Sequence, residues 1–340
     1  MPEISPVEYD GITGFFATSD DSVLPFDPFA SAFLAVSRME EYSGGPVDSH
    51  GRYLPENSFL FRHGLLEKAI VNRWADVLAI KIREKYRHFT YSHSPFRFLT
   101  TIDVDNTFAY LGKGFARSAG ALLKYIAERD WENFVKRLKV LSGRATDPYD
   151  TFGYLTQFFR GNEKKVKFFF HMGDFGKYDR QVSWENQRFR EIIRNISDRF
   201  TTGIHPSYRS SIYHTPEIIM KEKKRLSEII REEVTISRQH YLLLSFPQTY
   251  RKLISSRISE DYSMGYPGMA GFRAGTCTPF YFYDLGKEEA TSLKIIPFIA
   301  MDVTLRQYLG LSPGEASEKI ELLMNEVKSA GGLFCTIWHN

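Results

Sequence analysis

The chain is short of cysteine: Cys277 and Cys335 are the only two in 340 residues. That excludes a disulfide framework and makes a reducing compartment the simplest setting. Long apolar runs are missing, and nothing approaches the ~18 residues that a membrane span needs. The opening residues, MPEISPVEYDG, hold neither a basic nor an apolar stretch, so no secretory leader is read and a cytoplasmic location is expected. An excess of one charge is also missing: 44 Lys and Arg against 41 Asp and Glu leave +3, too little for a nucleic-acid footprint. Internal repeats and low-complexity tracts are absent. With hydrophobic residues at 43% and charged residues at 25%, the composition is that of a folded chain and excludes disorder as the main state. What is abundant is aromatic: 28 Phe and 19 Tyr supply core first of all, and also surfaces on which sugars stack.

The length suggests roughly two domains at about 150 residues each. Residues 1–95 read as a small α+β unit, and 96–340 as a larger α/β one. In the first, Pro28–Tyr42 spaces Phe29, Phe33, Val36 and Met39 as a helix would, and Gly44-Gly45-Pro46 stops it. A polar loop with Asp48, His50 and Arg52 follows, then a helix predicted over Gly64–Tyr86. His50, His63, His88 and His93 are assigned no chemistry. Beyond Tyr91 the pattern changes. Strands predicted at 98–104, 166–172, 201–204, 235–236, 295–301 and 333–338 alternate with helices predicted at 118–141, 184–197, 215–233, 246–256 and 313–330. Such alternation means a mostly parallel sheet, open or closed into a barrel.

The unusual polar residues sit where strands end. Asp103 and Asp105 follow one strand; His171 and Asp174 follow the next; His205, Arg238 and His339 end three others. In a parallel barrel those ends share one rim, where active sites are built. Asp103 and Asp105 are two apart and so face the same way. Two carboxylates that close repel each other, and a cation relieves the repulsion. A turn and helix cap at Asp105-Asn106-Thr107 is the plainer reading of the same residues.

Taken in order, Thr101-Ile-Asp103-Val-Asp105, Gly203-Ile-His205-Pro-Ser, Ser237-Arg238-Gln-His240, Asp261-Tyr-Ser263 and Ile337-Trp-His339 resemble the motifs of the polysaccharide deacetylases, carbohydrate esterase family 4, the NodB-homology domain. The resemblance spans about Phe98 to the end, and the leading unit is similar to one that precedes this domain in some bacterial members. It implies a distorted (β/α) barrel and a hydrolase that removes N-acetyl groups from a glycan with a divalent metal, zinc first. It makes Asp103 the base, Arg238 the residue that orients it, His339 the general acid, and Asp105 and His205 metal ligands. Arg273, Asp261, Tyr266 and Tyr208 are the candidates to contact an N-acetylated carbohydrate.

One position departs from the pattern. The family places a second histidine four residues after His205, and here that position is Arg209. Asp105 and one histidine fall short of the three protein ligands of catalytic zinc. His240, His171 and His214 are the candidates to complete the shell. Two other readings therefore stand beside deacetylation: a glycan-binding protein with an impaired site, and a hydrolase of another non-peptide carbon–nitrogen bond. Cys277 is read as a buried or lining thiol and Lys221–Arg225 as a solvated helix face. The chain stops one residue after His339, so that histidine is expected to be poorly held, and a truncated barrel is one explanation.

Overall fold

The computed structural model describes residues 4–213 and 215–340; His214 lies outside them. The leading unit opens with a hairpin of β1 (Pro6–Tyr9) and β2 (Ile12–Phe15), turned at Asp10-Gly11, both left-handed as a tight two-residue turn requires. The helix Pro28–Ser37 is capped by the Asp27 carboxylate, which accepts from the Phe29 and Ala30 amides at 2.9 and 3.0 Å. Its buried face is not the one expected. Leu34, Ala35 and Ser31 face the core, while Phe29 is 71% exposed and Phe33 packs edge-on against Tyr283. Arg38 then takes a left-handed φ of 54° and ends the helix. The long helix is Ile70–Lys85, shorter than predicted at its start, and it anchors the unit's core through Trp74.

The larger unit is built on β3 (Arg97–Val104), β4 (Val166–His171), β5 (Thr201–His205), β6 (Ile236–Ser237), β7 (Glu260–Asp261), β8 (Phe280–Asp284), β9 (Glu289–Ile295), β10 (Ala300–Met301) and β11 (Leu333–His339). The parallel order is β10-β11-β3-β4-β5-β6-β7-β9, and β8 pairs with β9 antiparallel at the edge. One stretch closes the sheet on itself. After β9 pairs with β7, the Ile296 and Phe298 amides still donate to Asp261 and Met264, at 2.8 and 3.0 Å. The next amide, Ile299, donates to Cys335 of β11 at 2.9 Å, and β10 continues that pairing. The stretch predicted as one strand over 295–301 is thus a link that changes neighbours midway. The result is a small, distorted (β/α) barrel.

Period-two alternation fills it. Leu99, Phe169, Ile236, Tyr262, Ile296, Phe298, Cys335 and Ile337 pack together inside. Alternate residues such as Ile102, Phe168, Phe170 and Ile204 pack outward against the helices. Gly203 is required in the interior, because a Cβ there would meet Phe169 and Ile236 at 2.6 and 2.7 Å. The helix predicted over 118–141 is two, Phe115–Ala127 and Trp131–Leu141, parted at left-handed Arg129 with Asp130 capping the second. The short helix Phe152–Phe158 and the β8 edge strand were not predicted.

A buried charge cluster ties residues 38–41 to residues 266–273. Glu41 pairs with both Arg38 and Arg273, and Arg38 also donates to the Tyr266 hydroxyl and the Arg273 carbonyl. Arg73 and the Ala69 amide bind Glu326 from the other side.

Candidate metal centre and active site

The strand ends converge as the barrel requires. In register, Asp103 lies beside His339, and His171 beside His205. Asp105, just past β3, stands with one carboxylate oxygen 3.1 Å from His205 Nε2 and 3.6 Å from His240 Nε2. These three donor atoms lie within 4.8 Å of one another. A tetrahedral zinc site with bonds near ~2.0–2.2 Å needs ligand atoms about 3.3–3.6 Å apart.

The tautomers are fixed by second partners. His205 Nδ1 is 2.6 Å from the Arg238 carbonyl, which can only accept, so that nitrogen carries the hydrogen. His240 Nδ1 donates to Asp179 Oδ1 at 3.0 Å. In both rings that leaves Nε2 facing Asp105 Oδ1, at 3.1 Å from His205 and 3.6 Å from His240. Lone pairs facing an oxygen at this range need a cation or proton between them, so the residues fit a divalent ion. Carboxylate–histidine–ligand is also the usual outer arrangement of a zinc site. With protons on both Nε2 atoms, burial would raise the Asp105 carboxyl, but the His240 and His205 imidazoles outweigh it and hold it well below the usual range. Burial would lower His240, but Asp105 and Asp179 raise it to about 9, so a metal ion binds there by displacing a proton.

Of the described residues named to complete the shell, His240 is the one whose ring nitrogen stands with Asp105 and His205. Its spacing was the signal, since it follows Arg238 by two residues and faces the same rim. Arg209 points away: its amide donates to Asp179 Oδ2 at 3.2 Å, while its side chain is exposed and lies 5.6 Å from the Tyr213 ring centre. His171 is buried beneath the site, with Nδ1 3.2 Å from the His205 carbonyl and burial pushing it down to about 3, so it stays neutral. Gly173 allows this packing, since a Cβ would meet Ser207 and His171 at 2.6 and 2.7 Å.

Beside the centre, Arg238 is fully buried between the Phe169 and Phe298 rings and sits 3.6 Å from Asp103 Oδ2. Neither its guanidinium nitrogens nor Asp103 Oδ1 has another hydrogen-bond partner. His339 is better held than expected: Asp302 accepts from its backbone amide at 2.9 Å and from Nδ1 at 2.8 Å. Burial would lower this imidazole, but the hydrogen bond to Asp302 and the charges of Asp105 and Asp103 raise it to about 9. Asp302 and Asp179 were not singled out in the sequence. Asp302 ends a strand, as the chosen residues do; Asp179 lies in a long loop, and nothing in its spacing marks it.

Three substrate candidates are elsewhere. Arg273 is buried, held by Glu41 and donating to the Gly265 carbonyl. Tyr266 is buried under Arg38, and Asp261 is buried against Ser237 and Ser263. Their motifs read as site loops because they follow strands, but their side chains join the units or brace the barrel. Tyr208 lies in an aromatic cluster with Tyr178, Tyr241 and His50 at the edge of the site. The leading unit, given no chemistry in the sequence, contributes His50 and Arg52 here.

A cavity of about 280 Å³ opens over the centre, lined among others by Asp103, Asp105, Arg52, Tyr241, Tyr308 and His339. No helix among the described residues is long and apolar enough to cross a membrane.

A family of unknown function, DUF7033, matches residues 1–87. The fold is similar to that of a candidate polysaccharide deacetylase from Mycobacterium smegmatis, at 15% identity over 74% of this chain and 79% of that one, with a TM-score of 0.47. It is similar to the PuuE allantoinase at 12% identity over 74% and 81%, TM-score 0.44, and to a Bacillus cereus polysaccharide deacetylase at 10% identity over 72% and 92%, TM-score 0.30. No curated protein matches the sequence.

Proposed function

We propose that this protein is a metal-dependent hydrolase that removes acetyl groups from the amide nitrogens of an N-acetylated glycan. The observation that carries the reading is the convergence of Asp105, His205 and His240, each imidazole turned by its own acceptor to present Nε2, beside the Asp103–Arg238 and His339–Asp302 pairs. Three protein donors match a catalytic rather than a structural zinc site, which leaves a position open. That weighs against the impaired-site reading, which rested on Arg209.

A divalent cation, zinc first, supplies Lewis acidity when bound, polarising the amide carbonyl and acidifying water. Asp103 takes the proton of the attacking water, and Arg238, 3.6 Å away, holds that carboxylate in place. His339, protonated and fixed by Asp302, gives its proton to the departing sugar nitrogen. Amide cleavage needs both transfers, and the register pairing of Asp103 with His339 sets the two groups side by side.

The test is the metal content of the purified protein together with acetate release from N-acetylglucosamine oligomers. Near-stoichiometric zinc, and activity lost in Asp105→Ala and His205→Ala, is expected. Protein that takes up no divalent metal even in excess overturns the proposal.

A further inference from the structure

We infer that the leading unit closes one end of the active-site pocket and so restricts the enzyme to a terminal or free N-acetyl sugar rather than residues inside a chain; this rests on the hydrolase reading above. The loop responsible is residues 47–53. It is rigid: Val47 and Tyr53 form a bridge across its neck. Inside it, Asp48 accepts from the His50 and Arg52 amides at 2.8 and 3.0 Å and pairs with Arg52 Nε at 2.6 Å.

From there Arg52 reaches across the pocket mouth. It donates to the Tyr241 carbonyl at 3.0 Å and to the Tyr308 hydroxyl at 3.0 Å. Tyr241 follows the proposed ligand His240 and holds a left-handed φ of 58°, a strained turn that the Arg52 contact helps fix. Tyr308 ends the helical turn that follows Asp302. One side chain from the leading unit thus bridges two separate rim loops. His50 reinforces it, 3.2 Å from the Tyr208 hydroxyl and packed on Tyr241.

This loop is not needed to hold the units together. The Arg38–Glu41–Arg273 cluster and the Arg73–Glu326 pair do that elsewhere. What it adds is a wall. With its charge met by Asp48, Arg52 is a barrier more than an anion site. The 280 Å³ cavity falls just under the usual range of ligand pockets, about 300 to 1,000 Å³. A polymer passing through needs two open ends, and here one is stopped.

The experiment uses the zinc-loaded full chain and end-labelled N-acetylglucosamine oligomers of one to six units. The position of each lost acetyl group is read by mass spectrometry, and binding of the same oligomers to Asp103→Asn is measured alongside. Acetyl loss at one terminal unit only is expected, with kcat/KM constant within about threefold from two units to six. Arg52→Ala, and separately Tyr308→Ala in case the first fails to fold, is expected to allow interior deacetylation and to raise the six-unit to one-unit ratio of kcat/KM by about tenfold or more. Interior deacetylation by the unmodified protein overturns this inference and leaves the hydrolase reading standing, as does an unchanged terminal pattern in both folded variants. Neither acetate release nor binding, with zinc retained, overturns the hydrolase reading and this inference with it.

Discussion

Asp103 and His339 are register partners on adjacent parallel strands, β3 and β11. Their side chains leave the barrel in the same direction, one backed by Arg238 and the other by Asp302. Under the proposed mechanism they divide proton removal and proton delivery between two positions. His339→Ala is expected to lower kcat by about 10²–10⁴ while leaving metal content unchanged. Steady-state kinetics with metal analysis on the same samples checks both halves.

The pH dependence follows from Asp302. A general acid works only while protonated, so activity falls as pH rises through the pKa of His339, which its acidic neighbours push up to about 9. A cation at Asp105 offsets part of that push. Asp302→Asn removes the largest favourable contributor, so the basic limb of kcat/KM moves to lower pH. An unmoved limb would assign it to another group.

Asp179 accepts from His240 Nδ1 and also from the Tyr208 and Arg209 amides. It fixes the ring through Nδ1 and leaves Nε2 to Asp105. Asp179→Asn is expected to weaken zinc binding by about 10–100-fold, against far larger losses for Asp105→Ala or His240→Ala. Competition with a chromogenic chelator measures all three.

Glu222 is buried under the site and accepts from the Ser207 amide at 2.9 Å. Burial, helped by the charge of Asp179 and opposed by Ser207, raises it to about 7. A carboxyl whose folded pKa exceeds its unfolded value costs stability when ionised. That cost is absent below about pH 4.5, grows as pH rises, and is complete above about pH 7. Glu222→Gln is therefore expected to stabilise the protein by about 1–3 kcal/mol above that range and to make no difference near pH 4.5. Urea unfolding at the two extremes, with metal content held equal, decides it.

Glu41 is shared by two buried arginines. Burial alone would raise its carboxyl, but Arg273 and Arg38 overcome this and lower it. Removing it leaves Arg273 without a carboxylate partner and Arg38 with Glu40 alone, both away from water. Glu41→Ala is expected to cost about 3–5 kcal/mol. Denaturant unfolding that shows a loss below 1 kcal/mol would mean that water enters this interface.

Much of the barrel was legible because its signals are local. Val166–His171 is a continuous apolar run, as a strand covered on both faces must be, and Pro313–Ala330 has a capping box of Ser312 and Glu315 at its start. Asp103, Asp105, His205 and Arg238 stood out because acids, histidines and arginines are unusual at the ends of apolar strands. Less visible was anything fixed by distant partners. Phe29 and Phe33 have the spacing of a buried face, yet Leu34 and Ala35 occupy it, because the neighbouring elements and not the pattern choose which side is covered. Arg273 and Tyr266 look like site residues until Glu41 and Arg38, more than 200 positions earlier in the chain, are brought against them. Asp179 shows its role only beside His240.

The closure of the ring also sets an order of events during synthesis. The free edge of β3 is hydrogen-bonded by β11, and Thr101 finds the Thr336 carbonyl 235 positions later. β10, made before β11, has its ladder partner there as well. On the ribosome both edges therefore remain open until β11 has emerged. Until then the nascent chain is an unclosed sheet, the state in which chaperones and unwanted strand partners compete for it.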